Sequence, residues 1–219
     1  RLARQSLDAA RDVDVEASMI ANVQSTLANA LRLRGDLAGA LVAIRAARET
    51  IHRGAADPWT SSNGYGLLLR EGLILGEDGG VSLERPDDAV VPLREAFTLM
   101  NAQALADPND ATSGTRTATA SRELGDILRW QHPADALAVY DVGLQRLGQR
   151  TDNAQIKRAT AELLAGSAYA LRRLGRAHEA GDRLDLALGL LTATQDYPAD
   201  PIPIDGQLYP VLLARSDHV

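Results

Sequence analysis

Apolar positions along the 219 residues recur three and four apart, the spacing that lays side chains in one stripe along an α-helix. Four segments repeat one version of that stripe: a small residue, a larger apolar or aromatic residue four later, and a small residue three after that. They are Ala40/Ile44/Ala47, Ala89/Leu93/Ala96, Ala136/Tyr140/Gly143 and Ala180/Leu184/Ala187. The small members let a neighbouring helix approach, and the larger one fills the remaining space. Upstream of each stripe lies a second helical pattern: Leu27-Ala28 with Leu31, Leu68 and Gly72 with Leu75, Leu124-Gly125 with Leu128, and Ser167-Ala168 with Leu171. The turn between the two helices is clearest at Arg34-Gly35-Asp36 and Leu174-Gly175-Arg176, where Gly supplies the positive φ that ends a helix at little cost. The predicted unit is helix, tight turn, helix.

The joints between units carry loop chemistry: 54–64 with Asp57-Pro58, Asp107-Pro108-Asn109-Asp110, and 148–153. Their Asn, Asp, Ser and Thr residues are natural N-caps for the helix that follows. Leu2, Leu7 and Ala10 read as the second helix of a preceding, truncated unit. After 197–203 breaks the pattern, Leu208, Val211 and Leu212 are expected to form a short helix covering the edge of the last unit.

Composition narrows the class. Aromatics are 4% of the chain, with a single Phe. Ala and Leu favour helices, whereas strands want the scarcer aromatic and β-branched residues, so the expected class is all-α. A net charge of −6 lacks the basic footprint of a nucleic-acid binder. The chain has no Cys, hence no disulfide framework and no thiolate metal site. Without an apolar run long enough to span a bilayer, no membrane insertion is expected. The opening at Arg1, without Met or a signal-like segment, leads to the expectation of a piece of a longer protein.

At this point the residues carry a family resemblance. Leu27-Ala28, Leu31, Gly35, Ala40, Ile44 and Ala47, and again Ala168, Leu171, Gly175, Ala180, Leu184 and Ala187, resemble the tetratricopeptide repeat in their offsets. The second unit has five extra residues between its helices, around Gly76-Glu77-Asp78-Gly79-Gly80; the third has His132-Pro133 where the Gly turn belongs. Bulky aromatics at the family's early helix positions are mostly missing. The stripe alanines recur at 49, 47 and 44 residues, against roughly 34 for the standard repeat. The resemblance covers about 19–194. It implies an α-α superhelix, a solenoid of antiparallel helix pairs in one domain over 1–219: a truncated helix at 1–16, units at 19–56, 60–106, 112–150 and 152–194, and a cap at 195–219.

In that family the first helix of each unit lines a concave groove that holds ligand. The resemblance therefore implies groove positions at Ser25, Asn29 and Arg32, at Arg122, Asp126 and Arg129, and at Tyr169, Arg172 and Arg173. Arg gathered on such a face selects an acidic segment or a C-terminal carboxylate, because a guanidinium pairs bidentately with carboxylate. The pattern falls short of the family's carboxylate clamp, which uses Lys and Asn at several of these positions; Asn29 is placed to hydrogen-bond a ligand backbone.

Catalytic and metal signals fade on inspection. Val42-Ala43-Ile44-Arg45 echoes the ATP-pairing strand of kinases but has Arg for Lys and lies on a helical pattern; His52-Arg53-Gly54 lacks the Asp of a catalytic loop. Residues 76–80 lack the Lys and Ser/Thr of a phosphate loop, and two carboxylates there repel phosphate. Asp107, Asn109 and Asp110 lack the Gly and terminal Glu of a calcium loop. His52, His132, His178 and His218 are scattered, with no zinc-helix spacing. No catalytic, cofactor or metal site is expected.

A narrower resemblance lies in 79–83, 122–130 and 164–175, which look like the C-terminal repeat region of bacterial Ser/Thr protein kinases of the eukaryotic type. That kinship implies kinase activity for a parent chain only, and an extracytoplasmic position if a membrane span precedes this region. The expected function is a protein- or peptide-binding module. The alternatives are a homo-oligomerisation element, the ligand-sensing region of a transcriptional or signalling regulator and, least favoured, a helical enzyme.

Overall fold

The computed structural model describes residues 13–54, 62–148, 153–192 and 208–216. The chain is all-α. In chain order its helices are α1 (Val13–Leu33), α2 (Leu37–Gly54), α3 (Ser62–Gly76), α4 (Pro86–Ala106), α5 (Ala111–Leu128), α6 (Pro133–Leu147), α7 (Ala154–Arg173), α8 (Ala177–Thr192) and α9 (Leu208–Ser216). Packing divides the chain into two compact units, Arg1–Leu99 and Met100–Val219, with the boundary inside α4.

The first compact unit begins with the pair α1/α2. Gly35 has φ +83°. The Gly35 amide donates to the Arg32 carbonyl at 2.9 Å and the Asp36 amide to the Leu31 carbonyl at 2.9 Å, the paired bonds of a Schellman cap. Ala28, Ala40, Ile44 and Ala47 are wholly buried in this pair. α1 already runs from Val13, so residues 13–16 belong to it rather than to the preceding helix the pattern suggested. Leu2, Leu7 and Ala10 lie outside the described residues.

α3 and α4 form the next pair. Gly72 and Gly76 let α4 come close: a Cβ at Gly72 would run into the Leu93 side chain, and one at Gly76 would meet Pro86 and Ala89. The five inserted residues form a longer turn, with Gly79 at φ +69°. It is tied back onto the end of α3 by Leu83 N–H to the Ile74 carbonyl at 2.9 Å and Arg85 N–H to the Leu75 carbonyl at 2.8 Å.

In the second compact unit, α5/α6 and α7/α8 are packed pairs, and α6 also lies against α7. The α7/α8 turn repeats the α1/α2 geometry: Gly175 has φ +75°, and the Arg176 amide donates to the Leu171 carbonyl at 2.9 Å. The α5/α6 turn manages without Gly, because Pro133 opens α6 with its ring preset for a first helical turn. α9 packs on α7 and α8, where Val211 and Ala214 are buried. Arg215 forms an ion pair with Asp185 of α8.

Candidate functional site

Of the nine groove positions read from sequence, Ser25, Asn29 and Arg32 fall in the first compact unit. The Ser25 hydroxyl is buried and accepts from Arg70, which also donates to the Ser25 carbonyl at 3.1 Å. Arg32 donates through Nε to the Val81 carbonyl at 2.8 Å and pairs with Glu77, so it fastens the long turn after α3 to α1. Asn29 is half-buried beside them in sequence. A second cluster in this unit centres on Glu71 of α3, which accepts from Arg45 at 2.9 Å and from Arg48; Arg48 reaches on to Glu95 of α4 at 3.2 Å.

The other six lie on α5 and α7. Both helices are capped at their starts: Asp110 accepts from the Thr112 amide at 2.9 Å, and Asn153 from the Gln155 and Ile156 amides at 2.8 and 3.3 Å. Between them α6 inserts Tyr140, which is wholly buried. A Cβ at Gly125 of α5 would sit 2.6 Å from the Tyr140 ring, and one at Gly166 of α7 would sit 2.8 Å from it. Two glycines therefore make the slot, and a phenol fills it.

The phenol has a polar end. The Tyr140 hydroxyl donates to Asp126 at 2.6 Å. Burial, and then the neighbouring Asp126 carboxylate, push that hydroxyl well above its ordinary pKa, so it stays a donor. Asp126 also accepts from Arg129 Nη1 at 3.0 Å, which orients the guanidinium. The Arg129 guanidinium carbon lies 4.5 Å from the centre of the Tyr169 ring and 5.3 Å from that of Trp130. Arg172 stands 5.5 Å from the same Tyr169 ring. Trp130 and Tyr169 are themselves tilted at 45° with centroids 6.4 Å apart. The result is two arginines and two aromatics stacked across the ends of α5 and α7, with Trp130 half-exposed.

One turn back, Arg122 pairs with Glu123 and lies 3.5 Å from Glu162 of α7. Desolvation pulls the Arg122 guanidinium down, but Glu123, Glu162 and Asp126 outweigh it and its pKa is raised. Burial raises Glu162 above its ordinary value, and Arg122 offsets only part of that. Arg172 Nη1 is closed off from water and has no hydrogen-bond partner among the described residues. Arg173 is exposed.

The structure thus brings Arg122, Asp126, Arg129, Tyr169 and Arg172 into one connected set. Sequence reasoning missed four members of it: Glu123, Trp130, Glu162 and the polar role of Tyr140. The available signal was Tyr140 itself. It replaces Ile44, Leu93 and Leu184 of the other stripes, and a buried phenol needs an acceptor.

Among the described residues no group of three or more His, Cys, Asp or Glu could hold a metal, and no helix is long and apolar enough to cross a membrane. The architecture defines an all-α protein of consecutive helix pairs. Compared with known proteins, the chain matches no family model and no curated protein.

Proposed function

We propose that this chain is a protein- or peptide-binding module that takes an acidic segment or a C-terminal carboxylate across α5 and α7. The observation that carries the reading is the stack of Arg129 and Arg172 on the Tyr169 ring, which gathers two guanidiniums at the ends of α5 and α7. A guanidinium pairs strongly with an incoming carboxylate. Stacking on an aromatic face suits this use, because it leaves the in-plane N–H edge of a guanidinium available for carboxylate. The offsets shared with tetratricopeptide repeats add support, since proteins of that family bind ligands along their first helices.

The same reading makes the module a sensing or scaffolding part of a bacterial kinase-type signalling chain, with phosphoryl transfer in a domain outside these residues. The upstream coding sequence tests that part separately: a Gly-rich loop and a His-Arg-Asp motif support it, and their absence removes it.

The binding claim is tested by fluorescence polarisation with a labelled Glu-rich peptide and its Gln-for-Glu counterpart. The Glu peptide is expected to bind and the Gln peptide to bind at least about tenfold more weakly. Arg172→Glu, at a half-exposed position, is expected to abolish the difference while leaving the helical circular dichroism unchanged. Equal binding of both peptides, or a difference that survives Arg172→Glu, would sink the assignment.

A further inference from the structure

Arg122 reaches from α5 to two carboxylates. Glu123, the next residue of the chain, pairs with its Nη2, and Glu162 of α7 lies 3.5 Å from its Nε. The second contact joins two helices and is long for a hydrogen bond, whereas Arg129 and Asp126 close to 3.0 Å further along α5. The Arg122 and Glu162 side chains are 37% and 24% exposed, so solvent and ligand can reach the pair. Of the carboxylates on Arg122, Glu162 is the one held loosely enough to exchange.

Arg122 and Arg129 stand seven residues apart on one helix, about 10 Å along its axis. An extended peptide covers about the same span in three residues. Acidic side chains three apart on such a peptide therefore meet both arginines, and at Arg122 one of them finds Glu162 in place.

The groups around Glu162 decide which way a proton moves this competition. Burial comes first and disfavours its charged form; Arg122 opposes burial, Asp126 of α5 adds to it, and Arg158, one turn back on α7, opposes it. The balance raises its pKa, so it takes up a proton more readily than an ordinary Glu. On the other elements packed against α7, Tyr140 of α6 is engaged with Asp126, and Asp141 of α6 with Arg183 of α8. On α8, Arg176 pairs with Glu179 and His178 with Asp182, and Asp185 pairs with Arg215 of α9. Protonating Glu162 therefore takes a negative charge from beside Arg122 and Asp126.

Given the acidic-peptide site on α5 and α7 on which this rests, we propose that Glu162 is a built-in competitor for Arg122. It is an internal carboxylate that the ligand displaces and that a proton releases, so acid tightens binding. Linkage requires the converse as well: a bound acidic segment makes Glu162 easier to protonate.

The test is fluorescence polarisation of the 219-residue chain at fixed ionic strength, at about pH 7.5 and about pH 5. The probe is a labelled peptide with two cysteic acids three residues apart, whose sulfonates stay ionised at both. Binding is expected to be about three- to tenfold tighter at the lower pH. Glu162→Gln, nearly the same in shape, is expected to bind at both pH values as tightly as the parent does in acid. Arg122→Gln is expected to bind at the weaker level at both. His132→Gln, which removes the histidine of the α5/α6 turn, is expected to leave the pH dependence in place. Circular dichroism checks that each variant keeps its helices. Binding with no pH dependence, or a tightening that survives Glu162→Gln or Arg122→Gln, overturns the proposal and leaves the peptide site standing. No binding at either pH overturns both.

Discussion

Tyr140 shows how one side chain can serve packing and polarity together. Its ring occupies the slot left by Gly125 and Gly166, and its hydroxyl fixes Asp126, which in turn steers Arg129 over Tyr169. Gly166→Ala sets a methyl against that ring and is expected to destabilise the chain by about 1–3 kcal/mol, measured by urea unfolding. Tyr140→Phe keeps the ring and removes the bond to a carboxylate, for a loss of about 1–2 kcal/mol. If Tyr140→Phe were the more damaging of the two, the slot would matter less than the hydrogen bond.

Glu162 carries a pH signature of the same cluster. Its folded pKa is raised above the ordinary 4.5 because burial disfavours the charged form. A carboxyl of this kind contributes stability that is whole below its unfolded pKa and is lost as pH rises through its folded pKa. The unfolding free energy of the parent relative to Glu162→Gln is therefore expected to fall over a window that opens near the ordinary 4.5 and extends upward, as the parent carboxyl ionises against burial. A difference that stays level across that window would show that Arg122 fully compensates the burial.

At the scale of elements, the helix pairs were legible because their signals are local. Gly35 and Gly175 sit where a left-handed residue must close the helix, and both turns carry the same backbone bonds. The stripe residues Ala40, Ile44, Ala47, Ala180, Leu184 and Ala187 are all wholly buried, as their spacing required. The polar clusters were not legible, because they depend on which side chains of separate helices meet. Arg122 and Glu162, or Arg45 and Glu71, are far apart in sequence and carry no mutual spacing signal. Arg32 illustrates the loss: its place in the pattern suggested a ligand contact, whereas the inserted turn brings Glu77 and the Val81 carbonyl to it.

The Glu71 cluster supplies the prediction at this scale. Its carboxylate is 5% exposed and joins α3 to two arginines of α2, one of which continues to α4. Removing one partner of a buried ion pair leaves the rest uncompensated. Because Arg45 is 55% exposed and so regains water, Glu71→Ala is expected to cost about 2–3 kcal/mol rather than the full penalty of a dry site. Glu71→Gln, which keeps the volume and an acceptor, is expected to cost less. Equal losses for the two would place the stabilisation in packing instead of charge.

For the molecule as a whole, charge acts at two ranges, and they oppose each other at the proposed peptide site. The net charge of −6 repels an acidic ligand at a distance. Arg129 and Arg172 attract it only at contact, since screening extends over about 10 Å at 0.1 M salt. Salt therefore weakens the long-range repulsion on approach and, separately, the short-range pairing in the complex. The association rate of a Glu-rich peptide is expected to rise modestly with added salt, opposite to electrostatically steered binding, while its dissociation rate rises more. Stopped-flow measurement separates the two rates. An association rate that falls steeply with salt would mean that the Arg-bearing face of α5 and α7 projects a positive field of its own, strong enough to override the charge of the whole chain.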